Sequence, residues 1–187
     1  MKKPAQNLAL SAMFLAIGMV LPLLTGQIPQ IGNMLLPMHL PVFLCGLICS
    51  WKYGAVVGLI LPLFRSVIFG MPPMFPTATA MAFELAAYGL VSGWLYARAP
   101  RQGVAALYGS LIAAMLLGRA VWGVVQIVLL GLSGSAFTWK MFLAGALLNA
   151  IPGIVIQLIL IPMLMIALDR TGVLPFRKER ETAHGGN

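Results

Sequence analysis

The chain has 187 residues, 60% of them hydrophobic and only 9% charged, with a mean hydropathy of +0.96. Such values lie far outside the range of soluble globular domains and describe an integral membrane protein. The formal net charge of +8 does not point to nucleic acid, because the cations sit between and beyond the apolar blocks rather than in a basic patch interleaved with aromatics.

Lys2 and Lys3 precede the first apolar run as they would in a signal peptide. The run is long, however, lacks a small-x-small cleavage site and is followed by further spans, so it reads as a first transmembrane helix. The apolar blocks are each about 20 residues, enough to cross a hydrocarbon core of roughly 30 Å. The first span is predicted from Leu8 to Leu24, followed by a breaker-rich loop, Thr25 to Met34. A short second span runs from Leu35 to Ser50, with Pro37 and Pro41 making its start irregular. The third runs from Tyr53 to Phe69, the fourth from Thr77 to Tyr96, the fifth from Val104 to Leu130 and the sixth from Met141 to Leu168.

The expectation is an all-α bundle of six transmembrane helices, with residues 1–170 forming one membrane domain and 171–187 a charged tail. Six spans put both termini on one side. Lys2, Lys3, Lys52, Arg98, Arg101, Arg170, Arg177, Lys178 and Arg180 all fall on that side, against Lys140 alone on the other. Short cytoplasmic loops are enriched in Lys and Arg, so both termini are expected in the cytoplasm of a plasma-membrane protein. The outward loops, 25–34, 70–76 and 131–140, are poor in charge and rich in Gly, Pro and Ser, as ordered caps over a bundle would be.

A charge in the middle of a membrane helix costs about 2.5 to 3.5 kcal/mol on insertion scales, so each one needs a partner or a wet cavity. At 1.5 Å per residue, Arg65 lies roughly 7 Å below the outer end of its span and Glu84 roughly 10 Å. His39 lies about 6 Å deep, Asn149 roughly 12 Å and Arg119 about 16 Å. All five fall in the outer half, which predicts a pocket open to the outside. Two arginines against one glutamate leave a surplus positive charge that a carboxylate or phosphate can neutralise. The bland alternative is an Arg65–Glu84 structural ion pair, with Arg119 on helix carbonyls and His39 a satisfied core residue. Asn149 and Gln126 also suit interhelical glue. Trp122, Phe69, Phe75, Tyr88 and Trp139 stand at the same level, as pocket lining or as the interfacial aromatic belt.

Small residues recur at four-residue spacing in Ala12-x-x-x-Ala16, Gly54-x-x-x-Gly58 and Gly89-x-x-x-Gly93. Each is either an internal helix contact or a docking face. Cys45 and Cys49 lack further ligands at metal spacing and read as small buried hydrophobes. There is no Gly-x-x-x-x-Gly-Lys-Ser/Thr phosphate loop and no Ser-His, Asp-Asp or paired Glu and His set. The chain therefore reads as a binder without cofactor or metal rather than an enzyme.

The segments Leu36-Pro-Met-His-Leu-Pro-Val-Phe-Leu-Cys-Gly46, Tyr53-Gly54, Gly58, Arg65 to Gly70, Met71-Pro-Pro and Phe83-Glu-Leu-Ala-Ala-Tyr-Gly89 resemble the S component, the substrate-binding membrane subunit, of energy-coupling factor (ECF) vitamin transporters. The resemblance implies capture of a vitamin from outside and delivery through a membrane T subunit carrying two cytoplasmic ATPases. It also implies that Ala12 and Ala16 contact the T subunit. Met38-His-Leu-Pro41 resembles the pantothenate branch, and pantothenate is a carboxylate, as are lipoate, folate, biotin and nicotinate. The expected substrate site is Arg119, Arg65, Glu84, Asn149, His39 and Trp122. The rival from another class is a membrane scaffold whose polar residues pair among themselves.

Overall fold

The computed structural model describes residues 4–25, 37–132, 134 and 150–171. These form six α-helices: α1 (Pro4–Val20), α2 (His39–Ile48), α3 (Trp51–Phe69), α4 (Thr79–Arg98), α5 (Val104–Leu132) and α6 (Ile151–Arg170). There is no strand among the described residues. The segments Pro4–Leu23, Trp51–Phe69, Met74–Arg98, Val104–Leu132 and Ile151–Arg170 are each long and apolar enough to cross a membrane. With ten residues, α2 reaches only about 15 Å and does not span alone. Lys2, Lys3, the loop residues 26–36, Trp139, Lys140, the start of the expected sixth span at 141–149 including Asn149, and the tail from 172 onward lie outside the described residues.

Local sequence explains where the helices stop. After Val20 the chain tightens into a 3-10 turn, Leu21–Thr25, in which Pro22 has no N–H to continue the α-helical ladder. At the start of α2, Pro37 and Met38 form a turn before the helix opens at His39, and Pro41 falls in the first turn. There its missing N–H is one that no intrahelical carbonyl would receive. The end of α3 is closed by Gly70 at φ 68°, whose N–H bonds the Ser66 carbonyl. A left-handed residue at this position favours glycine.

Regular α-helix resumes at Thr79, close to the predicted Thr77. Residues Met74–Ala78 form a π-type turn that leads directly into α4. Phe75 inside that turn is extended, at φ −121° and ψ 134°, so the turn is a kinked lead-in to the helix that lowers Glu84 relative to the hairpin tip.

The centre of the bundle is α4, packed against α2, α3 and α5. The seam between α2, α3 and α4 is built from glycines. A Cβ on Gly54 would strike the Gly46 backbone and the Gly89 carbonyl, and one on Gly89 would strike the Gly54 backbone. Gly58 meets the Leu85 backbone and Gly93 the Gly46 carbonyl in the same way. Both glycine pairs thus serve internal packing. Ala12 and Ala16 lie on the opposite kind of surface, on the exposed side of α1 with Met13 and Ile17.

The described chain ends share one end of the bundle. Arg65, near the end of α3, reaches Met19 at the end of α1, so these two helices begin together at Pro4 and Trp51. Asp169 near the end of α6 interacts electrostatically with Tyr96 near the end of α4.

Candidate functional site

Glu84 is the point on which three helices converge. It is 1% exposed and sits on the face of α4 turned toward α2 and α5. Its Oε1 is 2.9 Å from Nη1 of Arg119 on α5 and accepts a 2.7 Å hydrogen bond from the Tyr88 hydroxyl, one helical turn along α4. The same oxygen is 3.9 Å from Nε2 of His39, the first residue of α2. Because α2 starts at the depth of Glu84, its N-terminal end, where backbone N–H groups face outward along the axis, lies at the level of the charge pair.

Aromatic packing holds the arrangement. The Tyr88 ring stacks on Phe43 at 4.9 Å and 24°, and leans on His39 at 5.3 Å and 50°. His39 and Phe43 are four residues apart and therefore share one face of α2. On the other side, Gly118 admits the edge of the Tyr88 ring, which any Cβ at that position would displace. The sequence offered Tyr88 as lining. Its hydroxyl contact with Glu84 is a local i, i+4 relation, and Phe43 was recoverable from the same spacing relative to His39.

Arg119 is incompletely used. Its side chain is 11% exposed, and its Nε and Nη2 atoms are buried with no hydrogen-bond partner among the described residues. These two atoms form the side edge of the guanidinium, the edge that takes a carboxylate in bidentate fashion. Trp122, one turn further along α5, is half-buried. Gln126, seven residues after Arg119 and so on the same face, is buried with its Oε1 unpartnered.

Arg65 is placed elsewhere. It is 3% exposed, donates from Nη1 to the Met19 carbonyl at 2.6 Å and lies over the Phe69 ring at 5.1 Å. It thereby satisfies a carbonyl at the C-terminal, negative end of α1. Gly58 abuts Leu85 in an antiparallel pair, which leaves Arg65 and Glu84 about 9 Å apart along the axis at 1.5 Å per residue. The ion pair of the hairpin considered from sequence is thus replaced by Arg119–Glu84, and depth counting missed this because the Met74 turn adds length to the fourth span.

A bundle of long apolar helices with one buried, partly unsatisfied arginine beside a buried carboxylate defines a multi-pass membrane protein with an internal polar site. The model of the ECF transporter substrate-specific component family matches residues 6–165. The chain belongs to that family, and it is a substrate-specific transporter subunit rather than a member of an enzyme class. Comparisons with curated proteins and with solved structures gave no match.

Proposed function

We propose that the chain captures a small carboxylate vitamin, pantothenate first among the candidates, from the outer side of the plasma membrane and passes it to an energising module. The observation that carries this reading is the buried Arg119 edge, Nε and Nη2, without partners. A buried guanidinium with two unused donors is costly unless a ligand completes it. The pantothenate preference is supported by convergence: Met38 to Pro41, which resembles that branch, and Phe83 to Gly89, which resembles the S component, supply His39, Glu84 and Tyr88 to one cluster. Pantothenate combines a carboxylate for Arg119 with hydroxyl and amide groups that Glu84, His39 and Gln126 can bond. Lipoate, folate, biotin and nicotinate share the carboxylate but lack the two alcohol hydroxyls. Asn149 keeps its proposed place as a further polar contact and Trp122 as lining. Arg65 acts at the end of α1, where it holds that terminus against α3.

Binding is tested by equilibrium dialysis of labelled pantothenate with the purified chain, which should show saturable uptake displaced by unlabelled pantothenate. Saturable binding of one of the other four acids, with none of pantothenate, would reassign the vitamin.

The same reading gives Ala12 and Ala16 the role of a docking face for a membrane T subunit that carries two cytoplasmic ATPases. Both are exposed on α1, unlike the glycine pairs, which are spent inside the bundle. Ala12→Leu/Ala16→Leu is therefore expected to abolish vitamin uptake by cells while the isolated chain still binds ligand. Retained uptake would remove these residues from the interface.

A further inference from the structure

Before any ligand arrives, the site is already charge-balanced. Arg119 and Glu84 cancel at 2.9 Å, and the Tyr88 hydroxyl supplies a second short bond to the same carboxylate oxygen. A neutral imidazole on His39, 3.9 Å from that oxygen, leaves the formal charge at zero. Among the described residues, the elements packed around the cluster add no other charged group at this level. No Asp, Glu, Lys, Arg, His or Tyr occurs in α1, nor in α6 between Ile151 and Leu168. Arg65 of α3 is engaged by Met19, while Lys52 and Tyr53 stand at the opposite end of that helix. Cys45 lies further along α2 and Cys49 just past its end, Tyr96 and Arg98 at the far end of α4, and Tyr108 in the first turns of α5.

A carboxylate added beside Arg119 would leave one net negative charge among groups that are almost fully buried, and an uncompensated buried charge costs several kcal/mol. Of the groups at this level that can take up a proton, the imidazole of His39, itself 1% exposed, is ordinarily more basic than the Glu84 carboxylate. We propose that the chain binds its anionic ligand together with one proton, taken from water onto the His39 imidazole. The proposal rests on the anionic-ligand reading above. The site then passes from neutral to neutral: the imidazolium pairs with Glu84, and Arg119 is released to share its charge with the ligand. Binding is consequently favoured by an acidic exterior, and exposure to a more alkaline side favours release.

The test is calorimetric titration of the purified chain with pantothenate in buffers of different ionisation enthalpy. The slope of the observed heat against buffer enthalpy counts protons taken up. Above the ordinary histidine range of about pH 6.5 the count should approach one. A complex holding one more proton than the free protein weakens as pH rises, so affinity should fall by up to about tenfold per pH unit. The neutral alcohol pantothenol, if it binds, should take up no proton, and His39→Gln should bind pantothenate more weakly with no uptake and little dependence on pH. Saturable binding of pantothenate with no proton uptake by the native chain overturns the coupling and leaves the functional reading standing. Undiminished uptake in His39→Gln overturns the assignment to His39. Absence of binding by pantothenate and by each of the other four acids defeats the functional reading and the coupling together. Should His39→Gln fail to fold, the buffer series on the native chain still decides the coupling.

Discussion

Arg119→Met is expected to abolish saturable binding of the substrate and to lower the thermal stability of the chain as well. Both effects follow from one geometry. The substitution removes the side edge offered to a carboxylate, and it leaves Glu84, 1% exposed, without the cation 2.9 Å away. Breaking a buried pair by deleting one member typically costs about 3 to 5 kcal/mol. The two consequences separate in the double variant. Arg119→Met/Glu84→Gln removes the stranded charge, and the amide oxygen that replaces the carboxylate can still accept from Tyr88, so most of the stability should return. Binding should not. Thermal unfolding followed by intrinsic fluorescence, with ligand binding measured on the same preparations, checks both halves. A double variant that binds normally would take Arg119 out of the site, and one as unstable as the single variant would mean that the pair does not carry the loss.

Gly89→Val is expected to prevent folding rather than weaken it. The added atoms meet the Gly54 backbone, and backbone cannot swing aside as a side chain can. The penalty should exceed the roughly 1 to 3 kcal/mol typical of overpacking a core. Gly109→Ala is the contrast, since nothing lies within 4 Å of a Cβ there. Inside the exposed part of α5 it should be neutral or stabilise by about 0.5 to 1 kcal/mol. Size-exclusion profiles in mild detergent should show a folded peak for Gly109→Ala and its loss for Gly89→Val. A normal peak for Gly89→Val would mean that α3 and α4 are not as close as this seam requires.

These two cases also show what the sequence could convey. Hydropathy alone located four of the long helices, α1, α3, α4 and α5, and the end of α6 to within a few residues, because an apolar stretch that must satisfy its own backbone in lipid has little choice but to coil. The unusual cost of intramembrane charge likewise singled out Glu84, Arg119 and His39, which the fold brings together. Partner choice was not legible. Arg65 and Glu84 sit close in sequence across one hairpin, yet the extra turn at Met74 and a carbonyl exposed at the end of α1 direct Arg65 to Met19. Neither feature has a periodic signature. The small-residue patterns were equally ambiguous, since Gly54 and Gly58 look no more internal than Ala12 and Ala16 until neighbouring helices are placed. Only the three-dimensional packing separates a seam from an outward face.

Everything proposed for the site turns on the buried Arg119 edge being there to hold a carboxylate. Mass spectrometry of the small molecules released from the purified native chain, run beside Arg119→Met/Glu84→Gln, puts that to trial without assuming which vitamin is bound. The native chain should release a small carboxylic acid, pantothenate in the leading case, that the double variant does not carry. A neutral or cationic ligand, or a carboxylic acid retained equally by both proteins, would contradict it.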